Sequence, residues 1–209
     1  MFRQIGAGNV GLSILVGGQE AREYDHATGR FVEAVLGAEF MLCLQNNSPV
    51  DIEVVASVDG RSILTDGAAD WATQRGYIVS AYGACRIPGF KVAGREGTAA
   101  AFTFVASGQS YAARVGQSAN VGVIGAAVFT RRERPVRIAK SPHLESFGEN
   151  TRRLRSTSAG TGFGRPVDFQ THSVAFERAS TTPVALLALR YETRERLVEM
   201  GLIILQMVE

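Results

Sequence analysis

The sequence predicts an all-β chain: an antiparallel β-sandwich or jelly-roll with extended loops or arms and at most one short helix. Three observations predict it. Across residues 50–131, short apolar runs are separated by glycine turns. The chain holds 23 glycines against 6 prolines, a composition suited to many tight turns between short elements. Strand-like and helix-like patterns nowhere alternate as a parallel α/β fold requires. At 209 residues the chain is long enough to bury a core without staples.

Its formal charge of +2 argues neither for nucleic acid nor for an anionic membrane as partner. Lys91 and Lys140 are the only lysines. The arginine bias suits bidentate contacts to carboxylates or phosphates, and genome composition would produce it equally. Residues 1–10 are too short and too interrupted for a secretory signal, and no apolar stretch reaches the roughly 18 residues that span a bilayer. Cys43 and Cys85 lie in apolar runs and are expected as buried thiols, with an inter-sheet disulfide as the alternative.

Taken in order, Gly6-Ala7-Gly8-Asn9-Val10-Gly11 spells the glycine pattern of a dinucleotide-binding turn. Its context is wrong: a full strand does not precede it, and Leu12 to Val16 stops at Gly17-Gly18 with no room for a helix over a pyrophosphate. A turn or flexible arm is expected there. Residues 19–28 are polar and read as a surface loop or one helical turn. Residues 39–47 read as a strand, and Asn46-Asn47-Ser48-Pro49 as a reversal into the next, so that these two strands form a hairpin.

Val50, Ile52, Val54, Ala56 and Val58 alternate with Asp51, Glu53, Val55, Ser57 and Asp59, the pattern of a strand with one face on a core; Asp59-Gly60 ends it as a turn. Trp71, the only tryptophan, is expected to plug the core. Residues 76–79 and 85–90 are the next strands, joined through Tyr82-Gly83, with Pro88 at an edge or bulge because it has no N–H to donate. Residues 99–106 form a strand with Phe102 and Phe104 on one face. Residues 121–129 are apolar on both faces, as in a central strand.

Residues 130–166 form a long basic connection. Arg131, Arg132, Arg134, Arg137, Arg152, Arg153 and Arg155 are its candidate interaction residues, toward an acidic neighbouring subunit or a nucleic-acid backbone, with a solvated loop as the plain alternative. Gly160-Thr161-Gly162-Phe163-Gly164 lacks the Lys-Ser/Thr ending of a phosphate loop and reads as a glycine-rich turn. Residues 167–176 and 183–191 are expected to pair across 178–182. Residues 192–200 form a short helix ending at Gly201, and 202–208 a last strand. The domain organisation expected is an N-terminal arm or edge segment over 1–30 and one sandwich over 31–209.

No catalytic constellation emerges. His26, His143 and His172 are far apart, no Cys-x-x-Cys or Gly-x-Ser-x-Gly is present, and Asp59, Asp66 and Asp70 read as turn formers. No enzyme activity, cofactor or metal is expected.

Several strings together resemble a known set of proteins: Ser57-Val58-Asp59-Gly60; Gly76-Tyr77-Ile78-Val79 with Ala81-Tyr82-Gly83; Ile87-Pro88-Gly89-Phe90; Ser110-Tyr111-Ala112-Ala113; Asn120-Val121-Gly122-Val123-Ile124-Gly125; and Gly160 to Gly164 with Leu189-Arg190-Tyr191. Over about two thirds of the chain this order of motifs resembles a family of uncharacterised bacterial and phage-encoded β-rich proteins. Phe90 stands where the relatives carry tryptophan, and a glycine-rich start replaces their export signal. The resemblance carries over no activity and no site residue. Combined with the sheet-rich core, the arginine-rich extension and the lack of a catalytic constellation, it leads to the expectation of a non-enzymatic structural or interaction protein made in a host cytoplasm, a phage virion component such as a head-decoration or capsid-stabilising subunit. Self-association and capsid or other virion proteins are the expected partners, with neither nucleic acid nor membrane among them. The alternative is a carbohydrate- or ligand-binding sandwich with Trp71, Tyr77, Tyr82 and Tyr111 as an exposed aromatic platform. A nicotinamide-dependent enzyme built on residues 6–11 ranks below both.

Overall fold

The computed structural model describes residues 9–65, 67–117, 119–132 and 159–204. Two seven-stranded sheets pack face to face, with one short α-helix among the described residues. The first sheet runs β10-β11-β5-β1-β2, from Gly89–Lys91, Thr98–Ala106, Glu39–Asn46, Val10–Val16 and Gln19–Glu20. To it β13 (Ala159–Asp168) adds along β11, and β9 (Ala84–Ile87) along β5. The second runs β3-β4-β14-β12-β6-β7, from Glu23–His26, Gly29–Glu33, Ala185–Glu192, Val123–Thr130, Ile52–Val58 and Arg61–Ser62, with β8 (Tyr77–Val79) beside β6. All pairings are antiparallel except β4 with β14.

The core between the sheets is aliphatic and aromatic. Phe40, Leu42 and Leu44 of β5 and Phe102 and Phe104 of β11 meet Val54 and Val58 of β6, Ile124 and Val128 of β12, and Leu189 and Tyr191 of β14. Phe40 stacks on Phe104 with ring centroids 4.3 Å apart. As expected, β12 is central, flanked by β6 and β14, and β6 ends in a two-residue turn. Asp59 and Gly60 both take positive φ, 54° and 75°, the turn geometry that matches strand twist in a tight hairpin. Helix α1 (Arg194–Glu199) begins at the Thr193 cap and stops before Gly201 at φ 73°. Pro88 also sits as its chemistry requires. β5 and β11 pair only at Phe40–Phe102 and Glu39–Thr103, and the wedge beyond is filled by β9 on β5 and β10 on β11. Pro88 links these two, its carbonyl accepting the Phe102 N–H at 3.0 Å.

Several expectations are overturned, mostly because neighbouring strands enter different sheets. β5 and β6 are not a hairpin: the chain turns a corner at Asn46, whose buried Nδ2 donates to the carbonyls of Val50, Val79 and Ser80 while Oδ1 accepts from Ser48. Likewise β8 lies in the second sheet and β9 in the first, with Tyr82 at φ 55° in the crossing. Residues 19–28 are not a loop or a helical turn but carry β2 and β3. In place of a turn or flexible arm at the glycine pattern, Val10, Leu12 and Ile14 of β1 enter the core, and β2 and β3 lie at sheet edges; residues 6–8 of the pattern lie outside the described residues, and Gly11 is inside β1.

Gly160 to Gly164 is no turn but the first half of β13. Residues 167–176 and 183–191 do not pair: β13 ends at Asp168 and β14 takes β12 and β4 as partners. Of the last strand expected over 202–208, residues 205–208 lie outside the described residues; 202–204 form no strand, and Leu202 and Ile203 pack with Phe31 and Leu197. Finally, β6 is buried on both faces, since Val55 joins Ala127 and Phe129 in a small cluster of its own on the far side of the sheet.

Candidate functional site

Of the seven candidate arginines, Arg134, Arg137, Arg152, Arg153 and Arg155 lie outside the described residues. Arg131 and Arg132 leave the end of β12, and both turn inward to the same chain. Arg131 donates to the Ala175 carbonyl at 3.1 Å, approaches Asp51 at 3.5 Å, and lies over the Phe176 ring at 4.6 Å. Arg132 pairs with Glu177 at 2.6 Å. These contacts pin residues 175–177 against the end of the second sheet.

Beside them is a stronger clasp that sequence reasoning missed. Glu53 is fully enclosed, and its Oε2 accepts from Arg178 Nε at 2.6 Å while Oε1 accepts from the Gly76 N–H at 2.8 Å. The Arg178 guanidinium lies 3.8 Å from the centroid of Phe129 and donates to the carbonyls of Trp71 and Gln74. One ion pair thus fastens two irregular segments, 67–76 and 175–178, over Val55, Ala127 and Phe129. Glu53 sits at an alternating strand position, which a reader of the sequence assigns to solvent; nothing local says that a guanidinium 125 residues away will cover it.

The cap covers only one end of this outer face. By register, Leu186 lies opposite Ala127 and Ala188 opposite Gly125, on the same side as Val55 and Phe129. Leu186 is 65% exposed, and Ala188 and Val184 are exposed with it. Trp71 is not a core plug: it is 40% exposed, its ring 6.3 Å from Phe129 at the boundary of cap and open face. The proposed aromatic platform does not assemble, because Tyr77 and Tyr111 are buried while Tyr82 and Trp71 are exposed.

Asp59 forms a second polar centre, at the junction of the sheets. Although it stands in a hairpin turn, it is 1% exposed. Oδ1 accepts from the Gly122 N–H at 2.9 Å and from Tyr191 Oη, and Oδ2 accepts from the Thr161 N–H at 2.7 Å. Tyr191 Oη also shares a hydrogen bond with Thr161 Oγ1 at 2.7 Å. Burial pushes the carboxyl up to about 6 against the partial relief of these bonds, and burial with the neighbouring Asp59 charge holds the Tyr191 phenol well above its ordinary range. Thr161 is fully buried on the inward-facing side of the glycine-rich string, opposite Phe104. Gly160 is there because of a close approach: a Cβ at that position would lie 2.2 Å from Ser110 Cβ.

Asp70 does act as a turn former, accepting from Ala72 N–H and Thr73 Oγ1, which holds its carboxyl below the ordinary range. Asp66 and His143 lie outside the described residues. Cys43 and Cys85 are free and half-buried. The register pairs Cys43 with Arg86 and Cys85 with inward Leu44, so the two thiols lie on opposite faces. No group of His, Cys, Asp and Glu suited to a metal ion occurs among the described residues, and no helix there is long and apolar enough to cross a membrane. No protein-family model matches the chain, and no curated protein or solved structure matches it.

Proposed function

We propose that the chain is a non-enzymatic structural protein that works by binding other protein surfaces. One observation carries this reading: the outer face of the second sheet is half covered by the chain's own cap and half open, and the open half is lined by Leu186, Ala188 and Val184 with Trp71 at its border. Exposed apolar side chains grouped on a flat sheet are the usual mark of an association surface. Supporting it, the buried polar groups described above are spent on fastening segments to one another, and Arg131 and Arg132 are engaged within the chain.

Within that class we place the protein among phage virion components, as a head-decoration or capsid-stabilising subunit present in the virion. This finer step rests on the resemblance of the motifs from Ser57-Val58-Asp59-Gly60 to Leu189-Arg190-Tyr191. The experiment is light scattering on the native purified chain, with co-sedimentation against assembled phage heads. A defined oligomer, or sedimentation with heads, supports the proposal. A monomer at every concentration that ignores heads overturns it.

A further inference from the structure

The Asp59 centre joins more of the fold than any other polar group described. Asp59 belongs to the β6–β7 turn, Tyr191 to β14 in the same sheet, Gly122 to the turn entering β12, and Thr161 to β13 in the opposite sheet. The remaining backbone groups are interlocked: Asp59 N–H donates to the Val123 carbonyl, Tyr191 N–H to the Gly122 carbonyl, and Tyr111 N–H to the Thr161 carbonyl. A carboxyl at such a junction is costly as an anion unless a cation or several donors offset its desolvation.

Among the described residues, the charged and titratable groups around it are few. From its own turn comes Arg61, whose guanidinium is directed to Gln117 Oε1 at 2.8 Å and over the Tyr111 ring at 4.6 Å. From β14 comes Tyr191; its neighbours Arg190 and Glu192 point to the alternate side of the strand. From β13 and the β12 turn come only Thr161 and Gly122, and from the segment packed on β13 comes Tyr111. The partners of the carboxylate itself are therefore two backbone N–H groups and one phenol.

The hydroxyls allow two complete hydrogen-bond arrangements. With Asp59 ionised, Tyr191 Oη donates to Oδ1 and accepts from Thr161 Oγ1. With a solvent proton on Oδ1, the direction reverses: Asp59 donates to Tyr191 Oη, and Tyr191 donates to Thr161 Oγ1. Gly122 and Thr161 N–H keep an acceptor in both.

We propose that Asp59, Tyr191 and Thr161 form a proton-operated clasp between the two sheets, tightest when Asp59 is protonated and looser when it is ionised. The direction follows from linkage. The folded carboxyl titrates at about 6 against an ordinary 3.8, so the folded state holds a proton that the unfolded chain has lost. The added stability is full below the unfolded value, declines as pH rises, and is gone above the folded value. Between pH 7.5 and 5 the opening equilibrium constant at the clasp falls about tenfold.

The test is read on the whole wild-type chain labelled with carboxyl-13C aspartate. Asp59, assigned by the signal lost in Asp59→Asn, titrates near pH 6. Amide protection of Thr161 and Gly122, corrected for intrinsic exchange, rises about tenfold from pH 7.5 to 5. Tyr191→Phe removes the one side-chain donor that holds the Asp59 carboxyl down, so its titration moves upward and the change in protection grows. Should Asp59→Asn not fold, Asp59→Glu supplies the assignment by loss of the aspartate signal. An Asp59 signal that titrates at or below pH 4, or protection unchanged between the two pH values, overturns the clasp.

Discussion

Arg178 donates from Nε to Glu53 Oε2 across 2.6 Å, and the carboxylate it meets is almost sealed from water, with 1% of the Glu53 side chain exposed. A buried ion pair of this kind contributes little against a well-packed apolar pair, yet losing one partner strands the other charge. Arg178→Met is expected to cost about 3 kcal/mol, and Glu53→Met combined with Arg178→Met to recover most of it. Urea midpoints of the wild type and the two variants check this. The single variant also frees the Trp71 and Gln74 carbonyls, so acrylamide quenching of Trp71 fluorescence increases before the global transition.

Asn46→Ala removes one side chain that serves three carbonyls and Ser48 at the crossing between sheets. The loss is about 2 kcal/mol, since buried carbonyls are left without donors. Asn46→Asp is worse, because a carboxylate there faces carbonyl oxygens. Thermal midpoints at neutral pH order the three proteins as wild type, Ala, Asp.

Gly160→Ala drives a methyl group into Ser110 and Val121, both part of segments packed on β13. Overpacking of this kind costs about 3 kcal/mol, and the double variant with Ser110→Gly recovers part of it. Denaturant titration of both variants measures the recovery.

Leu186→Asp places a charge on the open outer face, where the native side chain is 65% exposed. Stability changes by no more than about 0.5 kcal/mol, as expected for an exposed site. On the proposed role, light scattering shows a shift of any oligomer toward monomer, and any co-sedimentation with phage heads falls in parallel.

Cys43 lies on the outer side of β5, whereas burial raises the Cys85 thiol above its ordinary range. Alkylation at pH 8 therefore modifies Cys43 first, by mass spectrometry, because the thiolate is the reactive form. Mild oxidation leaves no intramolecular bridge between the two.

Features that depend on near neighbours were legible in the residues alone. β11 and β12 were legible from their apolar pattern, the β6–β7 turn from Asp59-Gly60, and α1 from a cap, helix formers and a closing glycine. The period of two in Gly160-Thr161-Gly162-Phe163-Gly164 was equally present, but glycine signals turns more often than it signals a strand whose outer face is crowded. Which sheet each strand joins was not legible, because pairing is set by contacts between residues tens of positions apart. The same reason hid the candidate sites. Glu53 and Asp59 look like solvent-facing acids in a strand and a turn, and they become buried centres only when Arg178, Thr161 and Tyr191 arrive from the far end of the chain. The open face around Leu186 was likewise invisible, since an apolar strand reads alike whether one face or both are covered.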